Sequence, residues 1–114
     1  MTHEKQRIAI AKACGWKDIK HCTKLCSLYD KLVGINPDIT RKGYDAFMVP
    51  DYLNDLNACA RMERTLMDYD YVKFKDYLQT ITIREMIPLL LISAPAHMRC
   101  EAFLKTLGKW EATP

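Results

Sequence analysis

Ala96-His-Met-Arg-Cys-Glu-Ala-Phe-Leu-Lys-Thr-Leu-Gly-Lys-Trp110 is the stretch that decides the fold, because it reads as one complete helix with a defined end. The pattern predicts a start at Ser93, with Pro95 in the first turn, and an end at Gly108 that brings Trp110 back onto the helix. Helical spacing predicts a buried stripe of four residues: Cys100, Phe103, Leu104 and Leu107. It predicts a solvent-facing side made of Arg99, Glu101, Lys105 and Lys109.

A shorter version of the same pattern lies near the start of the chain. Thr2–Cys14 is predicted to be a helix, with Ile8, Ala11 and Cys14 on its apolar stripe. Gly15 suits the left-handed residue that follows many helices, and Trp16 then suits the apolar contact that closes the helix end.

The stretch between Lys17 and Val49 is less regular. Lys20–Tyr29 is predicted to be a short helix, since Cys22, Leu25, Cys26 and Tyr29 would share one side. The segment from Gly34 to Gly43 is rich in Gly, Pro, Asn and Asp, which indicates turns. Leu28–Val33 and Tyr44–Val49 flank it and could pair as a β-hairpin.

Two further helices are predicted in the second half. The first begins at Asp51, whose carboxylate would cap it, and reaches Met67. Its apolar face would hold Leu53, Leu56, Ala60 and Met67, with Tyr52, Cys59 and Leu66 alongside, while Asp55, Arg61 and Arg64 would face elsewhere. The second covers Tyr71–Ile81, with Tyr71, Phe74, Leu78 and Ile81 on one face. A strand around Tyr69–Phe74 is the alternative, because aromatic and β-branched residues alternate there with polar ones. Thr82-Ile-Arg-Glu85 matches a capping box ahead of an apolar run that contains Pro88. Leu89–Ile92 in that run could be helix or buried strand.

Composition indicates one ordinary globular domain spanning residues 1–114. The net charge is +3, and its basic excess lies in the first fifty residues, which hold nine Lys or Arg against five Asp or Glu. No segment is long and apolar enough for a signal peptide or a membrane span, which favours a cytoplasmic protein. No catalytic motif or glycine-rich phosphate loop is present, so neither an enzyme nor a cofactor is expected.

The five cysteines are odd in number and irregularly spaced, which argues against a disulfide framework. Cys14, Cys59 and Cys100 fall on apolar helix faces and are predicted to be core residues. An alternative is a zinc site with three cysteines and one histidine, namely Cys22, Cys26, His97 and Cys100. The absence of a Cys-x-x-Cys knuckle favours the core interpretation.

Three blocks of the chain resemble, in the same order, small proteins of tailed phages and prophages known as the phage ABA sandwich domain family. The blocks are Ile8–Lys17, Val49–Ala58 and Arg99–Trp110. The resemblance implies a phage or prophage origin and an α/β/α layering, but no activity, cofactor or catalytic residue. The expected fold is therefore helix-dominated α+β with a small sheet or hairpin; the alternative is an all-α bundle.

The leading functional hypothesis is a non-enzymatic accessory protein that binds a host or phage protein in the host cytoplasm, for example to inhibit a defence or housekeeping factor. Tyr44 and Phe47 are the predicted anchors, because aromatic side chains within a polar rim often dominate interfaces. The alternative is nucleic-acid binding through the basic first half, with Lys17, Lys20 and Lys24 contacting phosphates.

Overall fold

A computed structural model describes residues 1–22, 31–37, 47–85 and 94–112 of the protein. The described elements follow one another as α1 (His3–Ala13), β1 (Lys17–Cys22), β2 (Lys31–Ile35), β3 (Phe47–Met48), α2 (Leu56–Glu63), α3 (Asp68–Arg84) and α4 (Ala96–Thr106). The helix-dominated α+β class is confirmed. The alternative of an all-α bundle is wrong, because the three strands form one antiparallel sheet in the order β1-β2-β3.

Helix α1 ends as the sequence predicts. Gly15 has a φ of +96°, and the Trp16 amide donates to the Ala11 carbonyl at 2.9 Å, as in a Schellman motif. Trp16 is only 7% exposed, so the turn places its indole in the core. At the other end, the Thr2 hydroxyl accepts from the Lys5 amide.

Helix α4 closes in the same way at its C-terminus. Gly108 has a φ of +69°, and the Lys109 amide donates to the Leu104 carbonyl at 2.8 Å. Its start differs from the prediction: Pro95 occupies the N-cap position without a capping side chain, and Ser93 lies outside the described residues. A proline is tolerated at a helix start because the missing amide has no partner there in any case.

Replacing Gly108 with alanine is expected to lower the free energy of unfolding by about 1 kcal/mol, since only glycine adopts a left-handed conformation without strain. An added Cβ at Gly108 would meet no atom within 4 Å, whereas at Gly15 it would lie 3.3 Å from the Pro37 Cβ. Gly15→Ala should therefore cost more than Gly108→Ala in urea denaturation. Equal losses would show that crowding at Pro37 is unimportant.

The predicted helix over Lys20–Tyr29 is wrong where the structure describes it. In the sheet that the described strands form, Lys17–Cys22 lies at one edge and pairs with β2, with Lys20 opposite Val33 and Cys22 opposite Lys31. The pattern that suggested a helix was local, whereas the strand depends on pairing with residues further along the chain. Exposed charged side chains along β1 also protect the open edge of the sheet from pairing with other proteins.

The predicted hairpin is confirmed in its pairing. Val33 lies opposite Met48, and Gly34 lies opposite Phe47, in an antiparallel arrangement. Residues 28–30 and 44–46 of the two predicted strands lie outside the described residues, as does Leu89–Ile92. Gly34 belongs to strand β2 and does not begin the turn. A glycine suits this position because a Cβ would lie 3.0 Å from the Lys17 carbonyl oxygen of β1.

The helix predicted from Asp51 is shorter than expected. Its cap is Asp55, whose carboxylate accepts from the amides of Asn57 and Ala58, while Asp51 starts a separate turn. The helix spans Leu56–Glu63, so Met67 lies beyond its end and is exposed, and Leu56 at its first residue is exposed as well. The predicted face therefore fails at Leu56 and Met67, whereas Leu53 is buried as predicted.

The next helix is longer than predicted. It includes Tyr69–Phe74, so the alternative of a strand there is wrong. It begins at Asp68 and continues through Thr82, which makes a capping box at Thr82–Glu85 wrong. Phe74, Leu78 and Ile81 are buried as predicted, whereas Tyr71 is 41% exposed.

Helix α4 is the centre of the fold and contacts α1, α2 and α3. The prediction that Arg99 and Glu101 face solvent is wrong: their side chains are 12% and 13% exposed. Arg99 Nη1 donates to Glu63 Oε1 at 2.6 Å, and Glu101 accepts two hydrogen bonds from Arg84. Neighbouring helices cover both sides of α4, so its polar residues need charged partners.

Candidate functional site

A cleft lies where the end of α1, the residues after β2, strand β3 and the end of α2 meet. Its volume is about 500 Å³. Twelve of the described residues line it: Cys14, Trp16, Asn36, Pro37, Phe47, Met48, Pro50, Tyr52, Arg61, Met62, Arg64 and Thr65. We call this feature the β3 cleft.

The floor of the β3 cleft is formed by buried side chains, two of them aromatic. Trp16 and Tyr52 are 7% and 3% exposed, and Met62 is fully buried. Burial raises the pKa of the Tyr52 hydroxyl far above its ordinary value, and the nearby Cys14 thiol raises it further. The hydroxyl therefore stays neutral, close to Cys14 and Trp16.

The rim of the cleft carries the apolar residues that are still open to solvent. Phe47 is half-buried and packs against the core, whereas Met48 beside it is 61% exposed. Phe47, one of the two predicted anchors, thus lies at a concave surface. Tyr44, the other predicted anchor, lies outside the described residues.

Two exposed arginines, Arg61 and Arg64, stand on the α2 side of the cleft. They are three residues apart, so they are neighbours on the helix surface. Sequence reasoning placed both away from the core but did not assign them to a site. Their spacing was visible in the sequence, whereas their position on the cleft that Phe47 also lines depends on the tertiary structure.

The predicted nucleic-acid contacts are placed only in part. Lys17 and Lys20 are exposed on β1, and Lys24 lies outside the described residues. Acidic groups interrupt this basic surface: Asp18 is exposed between the lysines, and Glu4 pairs with His21. The described surface is therefore mixed in charge along this edge.

The predicted zinc set is not brought together in its described half. His97 is exposed, whereas Cys100 is fully buried, although they are only three residues apart on α4. Cys26 and the side chain of Cys22 lie outside the described residues. In the described ranges, no three His, Cys, Asp or Glu side chains are grouped in a way that could hold a metal ion.

The core interpretation of two cysteines is confirmed. Cys59 and Cys100 are both fully buried, and the Cys59 thiol donates to the Tyr52 carbonyl at 3.0 Å. A hydrogen bond with Cys59 and burial both raise the pKa of the Cys100 thiol, so Cys100 stays protonated. Cys14, in contrast, is only half-buried.

A second cavity, of about 550 Å³, lies between α1 and the segment after α4. Its floor contains Ile8 and Ala9, and its charged residues are Lys5, Lys12, Lys109 and Glu111. Lys5 already approaches Glu111 at 4.0 Å, and none of the described residues that line the cavity is aromatic. The β3 cleft is therefore the stronger candidate.

Comparison with known proteins identifies no relative: no protein-family model, no curated protein and no solved structure matches this chain. The resemblance to the phage ABA sandwich domain family stays a prediction. None of the described helices has the length and apolar character to cross a membrane.

Proposed function

We propose that this chain is a non-enzymatic accessory domain that acts by binding another protein through the β3 cleft. The observation that carries the proposal is the exposed Met48 beside the half-buried Phe47, both on the rim of a cleft large enough for one or two side chains. The resemblance to phage proteins supports a host or phage protein as the partner, with host inhibition as one outcome of binding.

The composition of the cleft supports this proposal. Protein interfaces are enriched in Tyr, Trp, Phe, Met and Arg and depleted in Lys, Glu and Asp. The described lining contains all five enriched types and none of the three depleted types. Because Trp16 and Tyr52 are held by the core, a partner would meet a surface that is already ordered, which reduces the entropy lost on binding.

The alternative function, nucleic-acid binding, is supported by the exposure of Lys17 and Lys20 on β1. Binding of an unstructured oligonucleotide would weaken steeply with salt if these lysines contact phosphates. A Lys17→Gln/Lys20→Gln variant separates the two functions, because both lysines lie outside the cleft lining.

Replacing Met48 with serine is expected to abolish selection of peptides from a displayed library of short random sequences, or to weaken it about tenfold, since a partner would bury this side chain. Met67→Ser is the matched control, because Met67 is 75% exposed and does not line the cleft. Met48→Ser should keep the free energy of unfolding within about 0.5 kcal/mol of the original protein. Met67→Ser should keep it or raise it by up to about 1 kcal/mol, because Met67 is the N-cap residue of α3 and serine caps a helix better than methionine.

Selection of peptides that bind equally well to the Met48→Ser protein would contradict this site. Salt-sensitive oligonucleotide binding that is lost in Lys17→Gln/Lys20→Gln, together with no peptide selection, would favour the nucleic-acid function.

A further inference from the structure

The described arginines differ in whether their side chains make hydrogen bonds or ion pairs within the protein. Three of those in the described ranges are engaged: Arg7 donates to the Val49 and Pro50 carbonyls, Arg84 to Glu101, and Arg99 to Glu63. Arg61 and Arg64 have no side-chain hydrogen bond or ion pair in the part of the chain that the structure describes. Both line the β3 cleft.

The charged residues that line the described part of the cleft are therefore all positive. Its described lining contains two arginines and no aspartate or glutamate. Elsewhere on the described surface, basic and acidic residues are interspersed, as in the pairing of Lys105 with Glu101 and of His21 with Glu4. An incoming anion at Arg61 and Arg64 would thus meet two cations without a competing carboxylate in the lining.

We propose that the β3 cleft recognises an acidic segment of its partner protein, in which an apolar side chain contacts Phe47 and Met48 while a neighbouring carboxylate binds Arg61 and Arg64. This inference rests on the proposed function. A guanidinium binds a carboxylate through two parallel hydrogen bonds, which fixes the orientation of the bound group. The apolar contact and the ion pair together define a short motif, an aspartate or glutamate beside a large apolar residue.

A carboxylate suits this position better than a phosphate. Arg61 lies in the last turn of α2 and Arg64 is its C-cap residue, so both stand at the end of the helix where free carbonyl groups carry partial negative charge. That end disfavours a dianion more than a single carboxylate. The two arginines also interact favourably with the negative end of the helix dipole. Replacing them should therefore lower the stability of the protein slightly, and this effect by itself should not change binding.

The experiment starts from the displayed library of short random peptides, selected in parallel on the original protein and on an Arg61→Gln/Arg64→Gln variant. Peptides selected on the original protein should be enriched in Asp or Glu next to Leu, Met or Phe. Peptides selected on the variant should not be enriched in Asp or Glu. The best acidic peptide is then synthesised with its carboxylates intact and as the amide. Replacing both arginines should weaken the acidic peptide about fivefold to tenfold and leave the amide peptide within about twofold.

Lys73→Gln/Lys75→Gln is the matched control, because it removes two positive charges from α3, outside the cleft lining. It should leave the acidic peptide within about twofold, which separates a local contact from a general effect of net charge. Affinity for the acidic peptide should also fall as salt rises, since the arginines are exposed.

The outcomes separate this inference from the proposed function. Apolar peptides selected at Met48 without acidic enrichment would overturn the acidic motif and leave protein binding in place. Acidic peptides that bind equally well to the Arg61→Gln/Arg64→Gln variant would also overturn it. Displacement of the peptide by inorganic phosphate, but not by acetate at equal ionic strength, would show a phosphate site. No selection of peptides at all would overturn the proposed function itself.

Discussion

Replacing Arg99 with methionine is expected to lower the free energy of unfolding by about 3–5 kcal/mol. The Arg99–Glu63 pair joins α4 to α2 with both side chains about seven-eighths buried. Methionine fills a similar length but leaves the Glu63 carboxylate without its partner in a poorly solvated place. The Arg99 Nε bond to the Ala94 carbonyl, at 3.0 Å, is lost as well.

The double variant Glu63→Leu/Arg99→Met should recover most of that loss and lie within about 1 kcal/mol of the original protein. Burial raises the pKa of Glu63 by more than the Arg99 guanidinium lowers it, which shows that burying the carboxylate is unfavourable even when it is paired. Urea denaturation of the two single variants and the double variant gives the coupling between the residues. A double variant as unstable as Arg99→Met would contradict this interpretation.

The loss in Arg99→Met should depend on pH. Without the guanidinium, the pKa of Glu63 rises further above its ordinary value of 4.5, since only burial remains as the dominant effect. A raised pKa in the folded state means that proton uptake stabilises the fold. That contribution is complete below the ordinary pKa and is lost as pH rises through the folded-state value. The destabilisation should therefore be smaller at about pH 4 than at about pH 7.

Arg84→Met is the matched control for the buried pair. Arg84 makes a two-bond contact with Glu101, but its own side chain is 51% exposed, and Glu101 keeps a second partner in Lys105. Burial raises the pKa of Glu101, yet the hydrogen bonds from Arg84 and Lys105 outweigh it and lower the pKa overall. Loss of this exposed arginine should cost no more than about 1 kcal/mol. An equal loss of unfolding free energy in Arg84→Met and Arg99→Met would show that burial does not make the Arg99–Glu63 pair more important than the Arg84–Glu101 pair.

Phe103→Ala is expected to cost about 3–5 kcal/mol as well, by a different mechanism. Phe103 is fully buried at the centre of α4, so its removal leaves a cavity among residues from several elements. This loss should change little with pH, because no charged group is uncovered. Met67→Ala, at a residue 75% exposed, should change the free energy of unfolding by no more than about 0.5 kcal/mol.

A loss below about 1 kcal/mol for Phe103→Ala would mean that α4 is not the centre of the core. Together with the Arg99 variants, this measurement separates two contributions to the stability of α4, namely the filling of the core and the pairing of a buried charge.

The candidate site was predictable to a limited degree. Phe47 could be selected from the sequence because an aromatic beside a loop is a common interface residue. Arg61 and Arg64 could be placed on the outer side of a helix but not on the cleft that Phe47 also lines, because that neighbourhood depends on the tertiary structure. Tyr52 was predicted on the apolar side of the helix that starts at Asp51; it lies before α2 instead, buried at the floor of the cleft.

The sequence by itself determined the features that depend on backbone preference and local periodicity. Gly15 and Gly108 mark the ends of α1 and α4, because the left-handed conformation required there is strained for other residues. The apolar stripe of α3 was readable at Phe74, Leu78 and Ile81, since side chains repeat along one helix face with a fixed period.

The tertiary structure alone decided the features that depend on distant partners. Lys17–Cys22 became a strand because β2 supplies its hydrogen-bonding partners. Arg99 became buried because α2 brings Glu63 to it, and the β3 cleft formed because α1, the sheet and α2 meet at one place. Such contacts join residues far apart in the chain, where helical or strand periodicity carries no information about the neighbour.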